Sequence, residues 1–230
     1  MKNKLLVIGH RGAMGHETEN TLASIQKAID FNVDMIEIDV FKIKSGEIIV
    51  FHDDEVNRLT NGTGKVEDYT WKQLQELTLV GNHKIPLLTT VLDTINAQVP
   101  INIELKGSNT ATDVNTIIKD YIAIKNWKLE QFLISSFNWK ELTAMRNVNG
   151  KIAIGVLTEE DPLQAIPMAQ ELQAVSINPD VKDVNLNVVM AIKKAGFKIY
   201  TYTVNDPQEI IKIKGMPVDG IFTNYPERIY

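Results

Sequence analysis

The sequence predicts an α/β protein of the (β/α)8, or TIM-barrel, class, with a β-hairpin and a small insertion after its second barrel strand. Three observations predict it. Short β-branched runs alternate with stretches of helical period along the chain. Nine such runs occur, and one follows its predecessor too closely for a parallel crossover, which needs a dozen or more residues. The length of 230 residues suits one domain of this kind, so residues 1–230 are expected to form a single barrel domain.

The elements follow in order. Residues 4–9 (KLLVIG) form the first expected strand, and residues 20–31 a helix with Leu22, Ile25 and Ile29 on one face and Asn20 as its N-cap. The next strand, 34–40 (DMIEIDV), is followed by 47–51 (EIIVF) after only a few residues. The two therefore form a hairpin over 34–43 and 47–52, turning at Ser45-Gly46. Residues 53–85 are polar and glycine-punctuated, with one short helical piece near Trp71–Leu77, and are expected to be the insertion. Strands are expected at 100–105, 131–135, 151–156, 174–177, 198–203 and 219–222. Helices are expected at 112–125, 138–147, 161–172, 186–195 and 206–214, with Pro162 and Pro207 suiting helix starts. Removing the hairpin strand leaves eight strands, the number a closed barrel needs.

Composition narrows the function. Net charge is −5, which argues against a nucleic-acid surface. The chain has no cysteine, which excludes disulfides, thiolate catalysis and zinc–sulfur sites. No apolar run approaches a membrane span, and the Leu5–Ile8 run is too short for a signal-peptide core, so a cytoplasmic protein is expected.

The polar residues gather at the ends of expected strands. His10 and Arg11 close the first; Glu37 and Asp39, at i and i+2, share a face near the end of the second; His52 and Asp53 end the hairpin strand; Glu104 and Lys106 end the next. In a (β/α)8 barrel these ends converge on one mouth. Singly, each has an ordinary explanation as a rim residue or a surface ion pair. Together, three acids in an apolar setting require a cation. An all-oxygen ligand set suits Mg²⁺ or Ca²⁺. Two histidines provide an acid and a base, and Arg11 and Lys106 match a phosphate-like anion. The chemistry assembled is metal-assisted displacement at phosphorus.

The motifs HRG (10–12), ENTL (19–22), EIDV (37–40), VFHD (50–53), NIELK (102–106) and DGIFTNYPE (219–227) resemble those of the glycerophosphodiester phosphodiesterase family. RLTNGTG (58–64), IPLLTTVLD (85–93), SSF (135–137) and YTVND (202–206) match as well, in family order across essentially the whole chain. The resemblance implies hydrolysis of a small-molecule glycerophosphodiester to glycerol 3-phosphate and an alcohol through a cyclic phosphate. It implies Glu37, Asp39 and Glu104 as ligands of a divalent metal, His10 and His52 as the acid–base pair, and Arg11 and Lys106 on the phosphate. Phe137 and Tyr202 are candidates for the leaving-group pocket. Four positions depart from the family pattern: Thr18 replaces a usual Pro, Tyr202 a common Trp, and Asn224-Tyr225 a frequent Asp-Arg. Two other functions fit the same barrel: a phospholipase-type enzyme acting on a lipid headgroup, and a barrel that binds phosphodiesters without turnover.

Overall fold

Eight parallel strands close on themselves, and the computed structural model describes residues 4–230. The strands are β1 (Leu6–Gly9), β2 (Met35–Lys42), the hairpin strand β3 (Ile48–Val50), β4 (Ile101–Leu105), β5 (Phe132–Ser136), β6 (Ala153–Thr158), β7 (Ser176–Pro179), β8 (Lys198–Thr201) and β9 (Gly220–Thr223). Strand β1 pairs with β2 through Ile8↔Met35 on one side and with β9 through Val7↔Ile221 on the other, which completes the barrel. Among the strands of the described residues only β3 is antiparallel, with Val40 opposite Val50. Its turn needs Gly46, at φ +103°, while the N–H of Ile43 donates to the carbonyl of Glu47.

Around the sheet lie α1 (Leu22–Asp30), α2 (Trp71–Glu76), α3 (Leu88–Ile95), α4 (Ala111–Ile124), α5 (Trp139–Val148), α6 (Ile166–Glu171), α7 (Leu186–Lys194) and α8 (Pro207–Lys214). Helix α3 is absent from the elements expected from sequence, although Leu88, Val91, Leu92 and Ile95 stand at helical spacing and are all buried. The stretch 161–172 divides into a 3-10 turn, Pro162–Ala165, and α6, because Pro167 starts a new helix. The N-cap of α1 is Thr21, whose hydroxyl accepts from the Ser24 N–H at 3.2 Å, and not Asn20. Asn20 takes a left-handed conformation at φ +58°, which asparagine tolerates, and its side chain is used elsewhere.

Strand periodicity explains why acids occur in apolar strands. Ile36, Ile38 and Val40 of β2, with Ile101, Ile103 and Leu105 of β4, face outward into the main core beneath the helices. Their neighbours Glu37, Asp39, Asn102 and Glu104 therefore point into the lumen. There they share the interior with a small apolar cluster of Ile8, Leu133, Tyr200 and Phe222. The segment after the hairpin has a core of its own, in which Phe41, Phe51, Val56, Val66 and Leu74 pack together.

Candidate active site

The strand ends bring His10, Arg11, Glu37, His52, Glu104 and Lys106 into one cavity of about 200 Å³, with Phe137 and Tyr202 on its wall. A larger cleft of about 430 Å³, between Trp71, Leu22 and Leu87, contains none of them.

The turn after β1 is set by two residues. Arg11 lies at φ +49° and Gly12 at φ +84°, and a side chain at Gly12 would collide with Ser24 within 2.6 Å. This tight turn aims the Arg11 N–H at Glu37 Oε2, 2.8 Å away, and the Gly12 N–H at the Glu37 carbonyl. Register brings in the third acid, since Asp39 of β2 stands opposite Glu104 of β4. Oxygens of Glu37, Asp39 and Glu104 all lie within 4.8 Å of one another, at 2%, 1% and 8% exposure. Burial, and then the neighbouring carboxylates, push Glu37 well above the usual carboxylate range and Glu104 up to about 7. Glu37 Oε1 and Glu104 Oε1 have no hydrogen-bond partner, although Lys106 Nζ sits 3.2 Å from the latter. Buried, crowded and unsatisfied oxygens of this kind fit a divalent cation.

Each histidine has one nitrogen tied off. His10 Nδ1 donates to Asn224 Oδ1 at 2.7 Å, leaving Nε2 at 4.0 Å from Glu37. Burial, and then the Arg11 charge, lower His10 to about 4, so its ring is neutral at pH 7. His52 Nδ1 donates to Asp53 Oδ1 at 2.7 Å, and its Nε2 lies 3.3 Å from Lys106 Nζ. Burial opposes the charge on Lys106, but Glu104 and Asp39 outweigh it and raise the ammonium above its usual range.

Sequence reasoning did not find the struts behind these groups. Asn20 donates to Asp39 Oδ2 at 2.8 Å. Glu19 accepts from Arg11 at 2.6 Å and from both terminal nitrogens of Arg58 at 2.8 Å. Arg58 then holds Asp53, which it keeps down at about 2 by hydrogen bonding. Glu19, His52 and Asp53 form a second cluster of metal-ligand type, but the Arg58 guanidinium already neutralises it. Arg11 is likewise committed to Glu19 and, at 3.3 Å, to Asp39. The readable signal for these residues was their place in ENTL and RLTNGTG; their spacing in the chain carries none. Among the described residues, no helix is long and apolar enough to cross a membrane.

The sequence model of the glycerophosphoryl diester phosphodiesterase family matches residues 10–228. A glycerophosphodiester phosphodiesterase of Caldanaerobacter subterraneus is 32% identical, over 98% of this chain and 96% of that protein. A phosphodiesterase of Oleispira antarctica, solved with its product sn-glycerol-3-phosphate, superposes with a TM-score of 0.89. It is 27% identical, and the match covers 97% of this chain and 94% of that one. The Thermotoga maritima glycerophosphodiester phosphodiesterase gives a TM-score of 0.81 at 26% identity, covering 99% and 97%. The chain belongs to the glycerophosphoryl diester phosphodiesterase family, and is an enzyme of that class.

Proposed function

We propose that the chain hydrolyses glycerophosphodiesters to sn-glycerol 3-phosphate and an alcohol, with Glu37, Asp39 and Glu104 holding a divalent cation, Mg²⁺ or Ca²⁺. The observation that carries this reading is the crowding of three buried carboxylates, Glu37, Asp39 and Glu104, in which one oxygen each of Glu37 and Glu104 accepts no hydrogen bond. Bound there, such a cation would supply Lewis-acid stabilisation of charge developing on the phosphoryl oxygens. Lys106 and Arg11 add positive charge for the phosphate, Lys106 being the less committed of the two.

His10 and His52 act as the acid–base pair through Nε2, since Nδ1 of each is occupied. One imidazole takes the proton of the glycerol 2-hydroxyl as its oxygen bonds to phosphorus. The phosphorus–oxygen bond to the alcohol breaks, and the other ring, present as imidazolium, gives its Nε2 proton to the departing oxygen. Water then opens the cyclic phosphate with the two roles exchanged. Because the attacking hydroxyl belongs to the substrate, the first step is effectively unimolecular and no side-chain nucleophile is needed. That both histidines, Lys106, Glu37 and Glu104 share one cavity favours turnover over binding alone.

The test is release of glycerol 3-phosphate from a panel of glycerophosphodiesters. Activity is expected to vanish in chelator and to return with Mg²⁺ or Ca²⁺, and the 2-deoxy substrate is expected to react orders of magnitude more slowly. Undiminished turnover after verified metal removal would contradict the metal assignment, and equal rates on the deoxy compound would exclude the cyclic route.

A further inference from the structure

The catalytic cavity does not end at Lys106. Phe137, Leu157 and Glu159 on its wall also line an adjoining cavity of about 410 Å³, completed chiefly by Trp139 and Glu160. The charge pattern changes along this path. At the inner end Arg11 and Lys106 stand among the acids Glu37 and Glu104, whereas among the described residues the outer cavity is lined by carboxylates alone, Glu159 and Glu160, with no cation. Lys182, the lysine that feels the charge of Glu159, is engaged with Asp180 at 3.1 Å.

The outer cavity is also aromatic, through Phe137 and Trp139, and these rings are fixed. Phe137 meets Tyr202, on the wall of the inner cavity, edge to face at 5.7 Å and 87°. The Tyr202 hydroxyl donates to the Thr158 carbonyl at 2.8 Å, and the Trp139 indole N–H to the Leu157 carbonyl at 2.9 Å. Both rings are thus hydrogen-bonded to the end of β6, immediately before Glu159. Phe137 already has a cation near its ring, with Lys106 Nζ 5.6 Å from the centroid. Fixed aromatic faces beside uncompensated carboxylates attract a compact organic cation.

Substrate geometry assigns the ends. The glycerol must present its 2-hydroxyl to a histidine, so it occupies the inner cavity, and the second ester arm leaves outward past Phe137. We propose that the outer cavity is the leaving-group subsite, and that it selects alcohols bearing an ammonium group. This rests on the phosphodiesterase reading above. The ammonium takes no part in bond breaking: the 2-hydroxyl oxygen bonds to phosphorus, the phosphorus–oxygen bond to the alcohol opens, the alcohol oxygen receives the imidazolium proton, and the cationic alcohol departs intact.

The test compares glycerophosphocholine with its neutral isostere, in which a carbon replaces the quaternary nitrogen. At low salt the cationic ester is expected to have a kcat/KM about tenfold higher, a preference that shrinks as salt is added. In the Glu159→Gln/Glu160→Gln variant the ratio is expected to fall towards one, and Phe137→Leu should lower it as well. A ratio near one in the unaltered enzyme, or one unmoved by the double substitution, overturns the proposal. Calorimetry of choline against 3,3-dimethylbutanol gives a readout that needs no turnover, with tighter choline binding expected. If neither ester is cleaved yet choline binds better, the phosphodiesterase reading fails and the subsite stands. If choline binds no better than the neutral alcohol, the subsite is wrong even where both esters are hydrolysed.

Discussion

The two histidines of the mouth are held by opposite means. His10 follows β1, is half-buried, and leans on the neutral amide of Asn224. His52 follows β3 and leans on a carboxylate, Asp53, which Arg58 grips through Nε and Nη2 at 2.5 and 2.9 Å. One ring has no anion on its Nδ1; the other has one, backed by a cation from the insertion. The barrel builds the first station and the insertion braces the second, so the same side chain receives two electrostatic settings within one cavity. Glu19 joins them, because it accepts from both Arg11 and Arg58.

The largest effects come from removing either ring. His10→Ala and His52→Ala are each expected to lower kcat by roughly 10²–10⁴, the usual cost of a lost acid or base, with KM moving far less. Steady-state kinetics on one glycerophosphodiester checks this. Near-normal kcat in one variant would make the comparison one-sided and remove that histidine from the pair.

A second test weighs the His10 station against the acids it faces. In metal-free protein Glu104 is raised from 4.5 to about 7, so the folded state binds more protons than the unfolded state across that window, and stability falls as pH rises through it. His10 is lowered from 6.5 to about 4, so here the unfolded state binds more protons and stability rises with pH between those values. Each contribution is on the order of 3 kcal/mol, and they oppose each other. Glu37 is pushed up as well and adds to the falling side, so the Tm of the metal-free wild type is expected to fall from pH 5 to 7. Glu104→Gln removes one falling component and relieves Glu37 of a neighbouring charge, so its Tm advantage over wild type, measured in chelator, is expected to grow with pH. A constant difference would mean that Glu104 carries no such penalty.

Much of this was legible before folding, and for a physical reason. Strand alternation shows itself locally, so acids at i and i+2 among isoleucines announce a lumen-facing pair. What escaped depends on distant partners. Asn224 lies 214 residues from His10 and Arg58 lies 39 from Glu19, and no local period encodes either contact. Asn20 escaped differently: an asparagine before a helix reads as a cap, but Thr21 takes that place and frees the Asn20 amide for Asp39. Helix α3 was missed beside a long polar segment, despite its own period. The motif resemblance covered these residues without giving their roles.

Cutting the brace should separate the stations at smaller cost. Arg58→Ala leaves both rings in place but removes the donors to Asp53 and Glu19. It is expected to lower kcat about tenfold, the lower end of what outer-shell partners contribute. The contrast is with Thr90→Ala, on α3 and outside the lining of the catalytic cavity, for which kinetics should match wild type. A wild-type kcat in Arg58→Ala would show that Asp53 holds His52 unaided.

The smallest change tests the contrast most directly. Asn224→Asp keeps the shape of the residue and the 2.7 Å contact with His10 Nδ1, but replaces a neutral acceptor with an anion. The rest of the residue's setting should survive, because its backbone N–H donates to Asn205 and its side-chain nitrogen is not needed to hold His10. An anion at hydrogen-bond distance favours imidazolium, so the His10 value should climb from about 4 by roughly one unit or more. His10 Nε2 can take a proton only while the ring is neutral. The acidic limb of the kcat/KM profile should accordingly move up by about the same amount, while the rate above neutrality changes only a few-fold. The two stations would then resemble each other, each ring resting on a carboxylate. If the limb stays where it is, His10 is not the group whose neutrality limits the reaction at low pH, and the difference between the two stations has no kinetic consequence.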